Sequence, residues 1–399
     1  MATLFLIVIY AAFISLGLPD ALLGVAWPVI QQEFMVPFSL AGLVSMTISV
    51  GTIVSSMLSG RILERFGTGK VTAISVTMTA VALFGFAHAP SFIWLVLLAI
   101  PLGLGAGSVD AGLNDYVSKH YKARHMNWLH SFWGIGAMTG PIIISQFIAD
   151  QTWRNGYLTV SIIQIILVAV LVITLPLWDK VAKLGIHNKI VNVDDQPKTE
   201  TRKGIFFPLK IPGVKSVLLV FLFYCGIEST MGLWGSSYLV RVKGLDVATA
   251  ATWVSLFFGA VTLGRFISGF ISLRMSSEAL IRLGEVIILI GVILMVLPLP
   301  VSYSLVSFIL IGLGCAPIFP SMLHETPIRF GREAAQHVMG FQMAIAYTGT
   351  TLIPPLFGLI ASNTSFILMP IFLLGYTLVM LFNSELVNRF MLAKRKRMS

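Results

Sequence analysis

Three carboxyl side chains, Asp20, Asp110 and Glu228, lie inside long apolar runs with no basic residue close by in the chain. An ionisable group at the centre of a bilayer costs at least about 2.5–3.5 kcal/mol on insertion scales, so each of them needs a use. In a medium of low dielectric a carboxyl keeps its proton more readily than in water and releases it when water enters. The chemistry this permits is proton exchange, with the acid neutral in one facing state and charged in the other. The competing use is packing, as a protonated acid hydrogen-bonded to a neighbouring helix. Asp20 follows Gly17 and Pro19, and Glu228 closes the segment Tyr224-Cys225-Gly226-Ile227-Glu228. Asp110 sits in a stretch loosened by Gly103, Gly105, Gly107 and Gly112, with Asn114 four residues on and therefore on the same helix face.

A second set of polar and aromatic side chains lies in apolar runs of the same kind: Trp27, His130, Trp133, Trp234, Gln342 and Tyr347. Amides and carboxyls hydrogen-bond sugar hydroxyls, and aromatic faces pack on the C–H surfaces of sugar rings. Together with Asn114 and Glu228 these residues are candidates for substrate binding, although any one of the tryptophans serves equally as packing or as an interface anchor. His130 is either a proton relay or a helix cap. Arg265 and Glu285 stand towards the ends of their runs, where snorkelling or an ion pair accounts for them. An enzyme is disfavoured: the sequence contains no nucleophile–base pair, metal-ligand cluster or phosphate loop, and the glycines around Asp110 lack the strand–turn–helix setting of a dinucleotide fingerprint.

These residues must be positioned by helices in a membrane. Of 399 residues, 56% are hydrophobic and 11% charged, against about 25% charged in soluble proteins, and the mean hydropathy is +0.89. That excludes a soluble enzyme, a disordered chain and a disulfide scaffold. Crossing the hydrocarbon core takes about 20 residues of helix. Runs near 4–28, 38–59, 71–88, 92–116, 128–149, 156–177, 214–238, 247–271, 281–299, 303–323, 336–361 and 365–386 meet that need, which predicts twelve spans. They are continuous and too long for barrel strands, and the first lacks the features of a cleaved leader. With a cytoplasmic N-terminus, 22 of the 27 Lys and Arg residues fall on the inner side. This asymmetry places both termini in the cytoplasm, as expected of a multi-pass protein of the cell (inner) membrane. The +10 net charge is then topological and implies a bilayer, not a nucleic acid, as partner.

The polar stretch 178–213 separates six spans from six. The expected organisation is an N-terminal bundle, residues 1–177, a cytoplasmic linker, and a C-terminal bundle, residues 214–399, with a basic tail. Equal halves of this kind are the layout of transporters built from repeats. A faint repeat supports it: Gly17 and Gly226, and Ser59-Gly60 and Ser268-Gly269, share an offset of 209 residues.

The loop Gly60-Arg61-Ile62-Leu63-Glu64-Arg65-Phe66-Gly67-Thr68-Gly69-Lys70 resembles the signature loop of the major facilitator superfamily. Its glycines suit a tight turn and close helix approach, and Glu64 with Arg65 and Lys70 can form an ion network that locks one side. The candidate gating set is Gly60, Glu64, Arg65, Gly67, Lys70 and Arg265.

More finely, the chain resembles the fucose:proton symporters and their glucose- and hexose-transporting relatives. Gly17-Leu18-Pro19-Asp20 is similar to their first-span acid motif, and Tyr224-Cys225-Gly226-Ile227-Glu228 to a span-seven Tyr-Val-Gly-x-Glu pattern. His130-Ser131-Phe132-Trp133-Gly134-Ile135-Gly136 is similar to a span-five Gln-x-Phe-x-Gly-x-Gly stretch, and Gly314-Cys315-Ala316-Pro317-Ile318-Phe319-Pro320 to a span-ten Phe-Pro element. Asp110 and Asn114 match an acid placed four residues before an Asn-Pro pair. Here the acid is Asp where the fucose transporters have Glu, and Asp115 replaces the proline, which shortens the acid's reach and leaves the helix unkinked.

The resemblance implies an all-α fold of two pseudo-symmetric six-helix bundles acting as a monomer. It implies a secondary active transporter that carries a sugar by alternating access as a proton symporter, with Asp20 and Asp110 coupling. No cofactor is expected, and the coupling ion is a proton in preference to sodium. The alternatives are a proton-coupled antiporter of drugs or small molecules with the same fold, and a non-transporting membrane receptor.

Overall fold

The computed structural model describes residues 2–121, 123–148, 152–186 and 207–398. They are helical almost throughout, because in a long apolar chain only helices and closed barrels satisfy the backbone without water. In chain order the helices are α1 (Ala2–Gly17), α2 (Leu22–Glu33), α3 (Leu40–Phe66), α4 (Thr68–Ala87), α5 (Phe92–His120), α6 (Ala123–Ile148) and α7 (Trp153–Ile186). After a short 3₁₀ turn come α8 (Val214–Arg241), α9 (Val247–Ile271), α10 (Ser277–Val296), α11 (Ser302–Phe330), α12 (Arg332–Asn363) and α13 (Met369–Met398). Among the described residues 12 helical segments are long and apolar enough to cross a membrane, with α1 and α2 counted as one. All twelve expected spans are therefore present.

Two boundaries differ from the sequence reading. The first span is broken: Leu18–Ala21 forms turns between α1 and α2, where Pro19 has no N–H and disfavours a helical residue before it. The sixth span runs past 177 to Ile186. Trp178 extends the buried core there, edge-on to Phe5 and Tyr116 at 4.9 Å each, and its carbonyl accepts a hydrogen bond from the Tyr116 hydroxyl. Of the expected linker 178–213, residues 187–206 lie outside the described residues.

By its packing the chain divides into two compact units: Met1–Thr199 with Asp246–Ser255, and Glu200–Leu245 with Leu256–Ser399. In the first, α1 packs on α6, α4 on α7 and α5, and α3 on α5; in the second, α8 packs on α12, α10 on α13 and on α11. These partnerships repeat after six spans, and they repeat residue by residue. A Cβ on Gly103 would meet the Ile48 carbonyl oxygen at 2.1 Å, and one on Gly312 the Phe257 oxygen at 2.4 Å. A Cβ on Gly105 would meet the Ser75 oxygen at 2.6 Å, and one on Gly314 the Gly284 oxygen at 2.5 Å. Each residue of one contact lies 209 positions from its counterpart in the other, the offset already visible between Gly17 and Gly226. Small residues let helix backbones approach where lipid supplies no hydrophobic drive between helices.

Candidate functional site

The first unit holds two of the three intramembrane acids. Asp20 lies in the break between α1 and α2, with its side chain exposed. Its Oδ2 accepts a hydrogen bond of 2.7 Å from the Trp133 indole N–H on α6. Gly17 and Gly136 make this possible, since each lies against a carbonyl of the facing helix, Trp133 and Ile14 respectively, with no room for a Cβ. Asp110, on α5, is partly buried. Its Oδ1 accepts from the Asn114 amide at 2.9 Å, and the same amide nitrogen reaches the Asp110 carbonyl, also at 2.9 Å. The i, i+4 pairing expected from spacing is formed.

The second unit holds a different arrangement. The Tyr224 hydroxyl donates a short hydrogen bond to Glu228 Oε2 within α8. The Arg265 guanidinium, from α9, donates Nη2 to Glu228 Oε1 at 3.3 Å and lies 3.5 Å from the Tyr224 oxygen. Arg265 is therefore not held as a snorkelling residue at a helix end; it meets an acid on another span. The register explains why α8 stays continuous where α1 breaks, since Glu228 occupies the position that Pro19 holds 209 residues earlier.

The aromatic and amide candidates fall into separate places. Trp27 and Trp234 are fully buried, and their indole N–H groups donate to the carbonyls of Phe38 and Pro354 at 2.8 and 2.7 Å. Their observed contacts are those of packing residues. Gln342 is buried, takes a hydrogen bond from the Thr326 hydroxyl at 3.0 Å, and has no partner for its amide N–H groups among the described residues. Tyr347 is partly buried. His130 is exposed and sits edge-on to Phe13 at 5.6 Å.

The candidate gating loop turns at Gly67, whose φ of +77° lies in the region that favours glycine. Glu64, Arg65 and Lys70 are exposed, and the expected ion network is not formed by Glu64 among the described residues. Instead the loop borders a cavity of about 610 Å³ lined in part by Glu64, Lys70, Asp115, His120 and Trp178.

Sequence reasoning missed three ionic contacts. Glu33, at the end of α2, accepts from Trp153 and Arg154 at 2.5 Å each, and Arg154 also donates to the Ala89 carbonyl. Glu325 and Arg329 form a buried pair at 3.4 Å on α11, and Arg329 donates to Asn388 of α13. Glu285 is buried against the Ser384 hydroxyl, with Arg282 and Glu385 paired at 2.6 Å nearby in sequence. An acid and a base placed at the ends of separate apolar runs was the available signal for the Glu33 contact. The Glu325 pair lay beyond the expected end of span ten at residue 323.

Among the described residues, twelve apolar helical spans in two units repeated at one offset, with acids placed within the spans, define a membrane transporter built from inverted or parallel repeats. Residues 9–354 match the family model of the Major Facilitator Superfamily, and the chain belongs to that family. Bypass of stop codon protein 6 of Saccharomyces cerevisiae is 26% identical over 94% of this chain and 80% of its own length. The glucose/mannose transporter GlcP of Bacillus subtilis is 23% identical over 79% of this chain and 77% of its own length. The crystal structure of a D-xylose-proton symporter has the same fold, with a TM-score of 0.74, 12% identity and 96% of each chain covered.

Proposed function

We propose that this transporter is a proton symporter for a hexose or a similar polyhydroxylated solute, of the kind the fucose/glucose:proton symporters represent. The observation that carries the reading is Asp110, an acid within a span whose side chain is held by the neutral amide of Asn114. An acid held by a neutral donor can take up or lose a proton without breaking an ion pair, which is what coupling requires. Asp20, bonded to the indole of Trp133, offers the same chemistry. Glu228 and Trp133 supply hydrogen-bonding and aromatic groups of the kind that bind sugars. The relative that carries glucose and mannose, and the fold shared with a xylose-proton symporter, support a sugar.

Transport proceeds by alternating access, with residues 1–177 and 214–399 as the moving halves of a monomer. The loop around Gly60, Glu64 and Gly67 acts as a lock. The asymmetry of the bases supports cytoplasmic termini in a cell membrane. Adding the substrate to energised cells that express the protein should alkalinise the medium, and Asp110→Asn should abolish the pH change. Sugar uptake that ignores the proton gradient sinks the coupling. Resistance to toxic compounds without any sugar uptake favours the antiporter.

A further inference from the structure

The second unit carries a full positive charge that a neutral sugar does not need. Arg265 lies within span eight, six residues from the end of α9 at Ile271, and is only 20% exposed, while its partner Glu228 is 15% exposed. Both side chains thus reach accessible space from an otherwise closed setting. Replacing a buried ion pair by apolar residues is often neutral or stabilising, so fold stability gives little reason to keep one. Intramembrane ionisable groups mark substrate and ion pathways.

The geometry of the pair is also loose. Arg265 meets Glu228 at 3.3 Å, close to the 3.4 Å of the more buried Arg329–Glu325 pair, while the exposed pairs Arg282–Glu385 and Arg154–Glu33 close to 2.6 and 2.5 Å. A tight charge-assisted hydrogen bond runs about 2.7–2.9 Å.

Resting on the sugar reading above, we propose that the substrate is an acidic sugar, and that its carboxylate takes the place of Glu228 on the Arg265 guanidinium. Guanidinium presents a planar fork that matches a carboxylate. The charge balances throughout. In the empty site Arg265 is offset by the Glu228 carboxylate. In the occupied site Arg265 is offset by the substrate carboxylate, and Glu228 takes one proton from the side on which the substrate enters. Without that proton, Glu228 would be left as an unpaired acid, which is strongly unfavourable. Tyr224 stays hydrogen-bonded to Glu228 in both states, as acceptor or donor to match. The titratable groups that face Glu228 are Tyr224 and Cys225 on its own helix, Arg265 on α9 and Cys315 on α11. Thr350 of α12 adds a neutral hydroxyl beside Cys225.

The test uses purified full-length protein in liposomes, with labelled glucuronate and labelled glucose as probes. Wild-type protein should exchange glucuronate, with an affinity that rises at least fivefold between pH 7.5 and 5.5, and should carry glucose at least tenfold less well. Arg265→Gln should lose glucuronate exchange. Because that variant can fail by misfolding, Glu228→Gln provides an independent arm, read on glucuronate binding: its affinity should lose the fivefold change between pH 7.5 and 5.5. Glucose carried with no glucuronate uptake overturns the acidic substrate and leaves the sugar reading standing. Neither probe carried, nor any other hexose or hexuronate, overturns both. Glucuronate binding by Glu228→Gln with an unchanged pH dependence overturns the role of Glu228.

Discussion

The Trp133 indole N–H donates to Asp20 at 2.7 Å, across two helices of the first unit. A hydrogen bond to a charged group contributes about 1.5–3 kcal/mol, and the exposure of Asp20 puts this one at the lower end. Trp133→Phe should therefore slow coupled uptake roughly tenfold while leaving the melting temperature of the purified protein nearly unchanged; equal uptake in the two proteins would remove Trp133 from the mechanism. The acids themselves were legible in the sequence, because an ionisable residue in an apolar run stands out without any structure. The Asp110–Asn114 pair was legible too, since i, i+4 spacing on a helix fixes the geometry locally. The partners of Asp20 and Glu228 were not, because Trp133 and Arg265 reach them from other helices and only tertiary packing decides that register.

At the scale of elements, two classes of glycine separate. Gly103 and Gly312 lie against carbonyl oxygens of α3 and α9, whereas Gly60 and Gly269 have nothing within 4 Å of a built Cβ. Overpacking costs typically about 1–3 kcal/mol, so Gly103→Val and Gly312→Val should each lower the yield of folded protein and its melting temperature, while Gly60→Ala and Gly269→Ala should melt like the parent. Equal behaviour of the two pairs would contradict the repeat-related contacts.

Between spans seven and eight, Asp246 caps α9, accepting from the Thr249 N–H at 2.8 Å. Hydrogen bonds from Thr249 hold its carboxyl below the usual carboxylate range. An acid with its folded value depressed contributes stability that is present above its unfolded pKa and lost as pH falls through the lower, folded one. The cap's contribution, about 1 kcal/mol by comparison with other N-caps, should therefore fade below about pH 4. Melting curves of Asp246→Ala and parent should converge there and stay apart at pH 7; curves that stay equally separated at pH 3 would contradict the assignment. Hydropathy located every span, yet it missed the break after Gly17, since four residues barely change an average taken over a whole span. Pro19 was the signal for the break.

The whole molecule repeats itself, and its two units carry different side-chain contacts at related positions. Where the first unit has Pro19 and an Asp20 that accepts from Trp133, the second has Glu228 paired with Arg265 at almost the same register. That asymmetry was only half legible: the offset of 209 could be read from glycines, whereas the contacts of Asp20 and Glu228 depend on packing between helices. The proposal at this scale is that the first unit, through Asp110, couples transport to the proton gradient, while the second recognises the solute, with Glu228 taking up a proton when the solute carboxylate displaces it. The most direct test loads liposomes containing the purified protein with buffer, imposes a pH gradient acid outside, and follows labelled hexose and hexuronate. The wild-type protein should accumulate one of them above equilibrium, and Asp110→Asn should equilibrate that solute by exchange yet fail to accumulate it. Accumulation by Asp110→Asn equal to wild type, or wild-type uptake that only equilibrates under the gradient, would contradict proton coupling through the first unit.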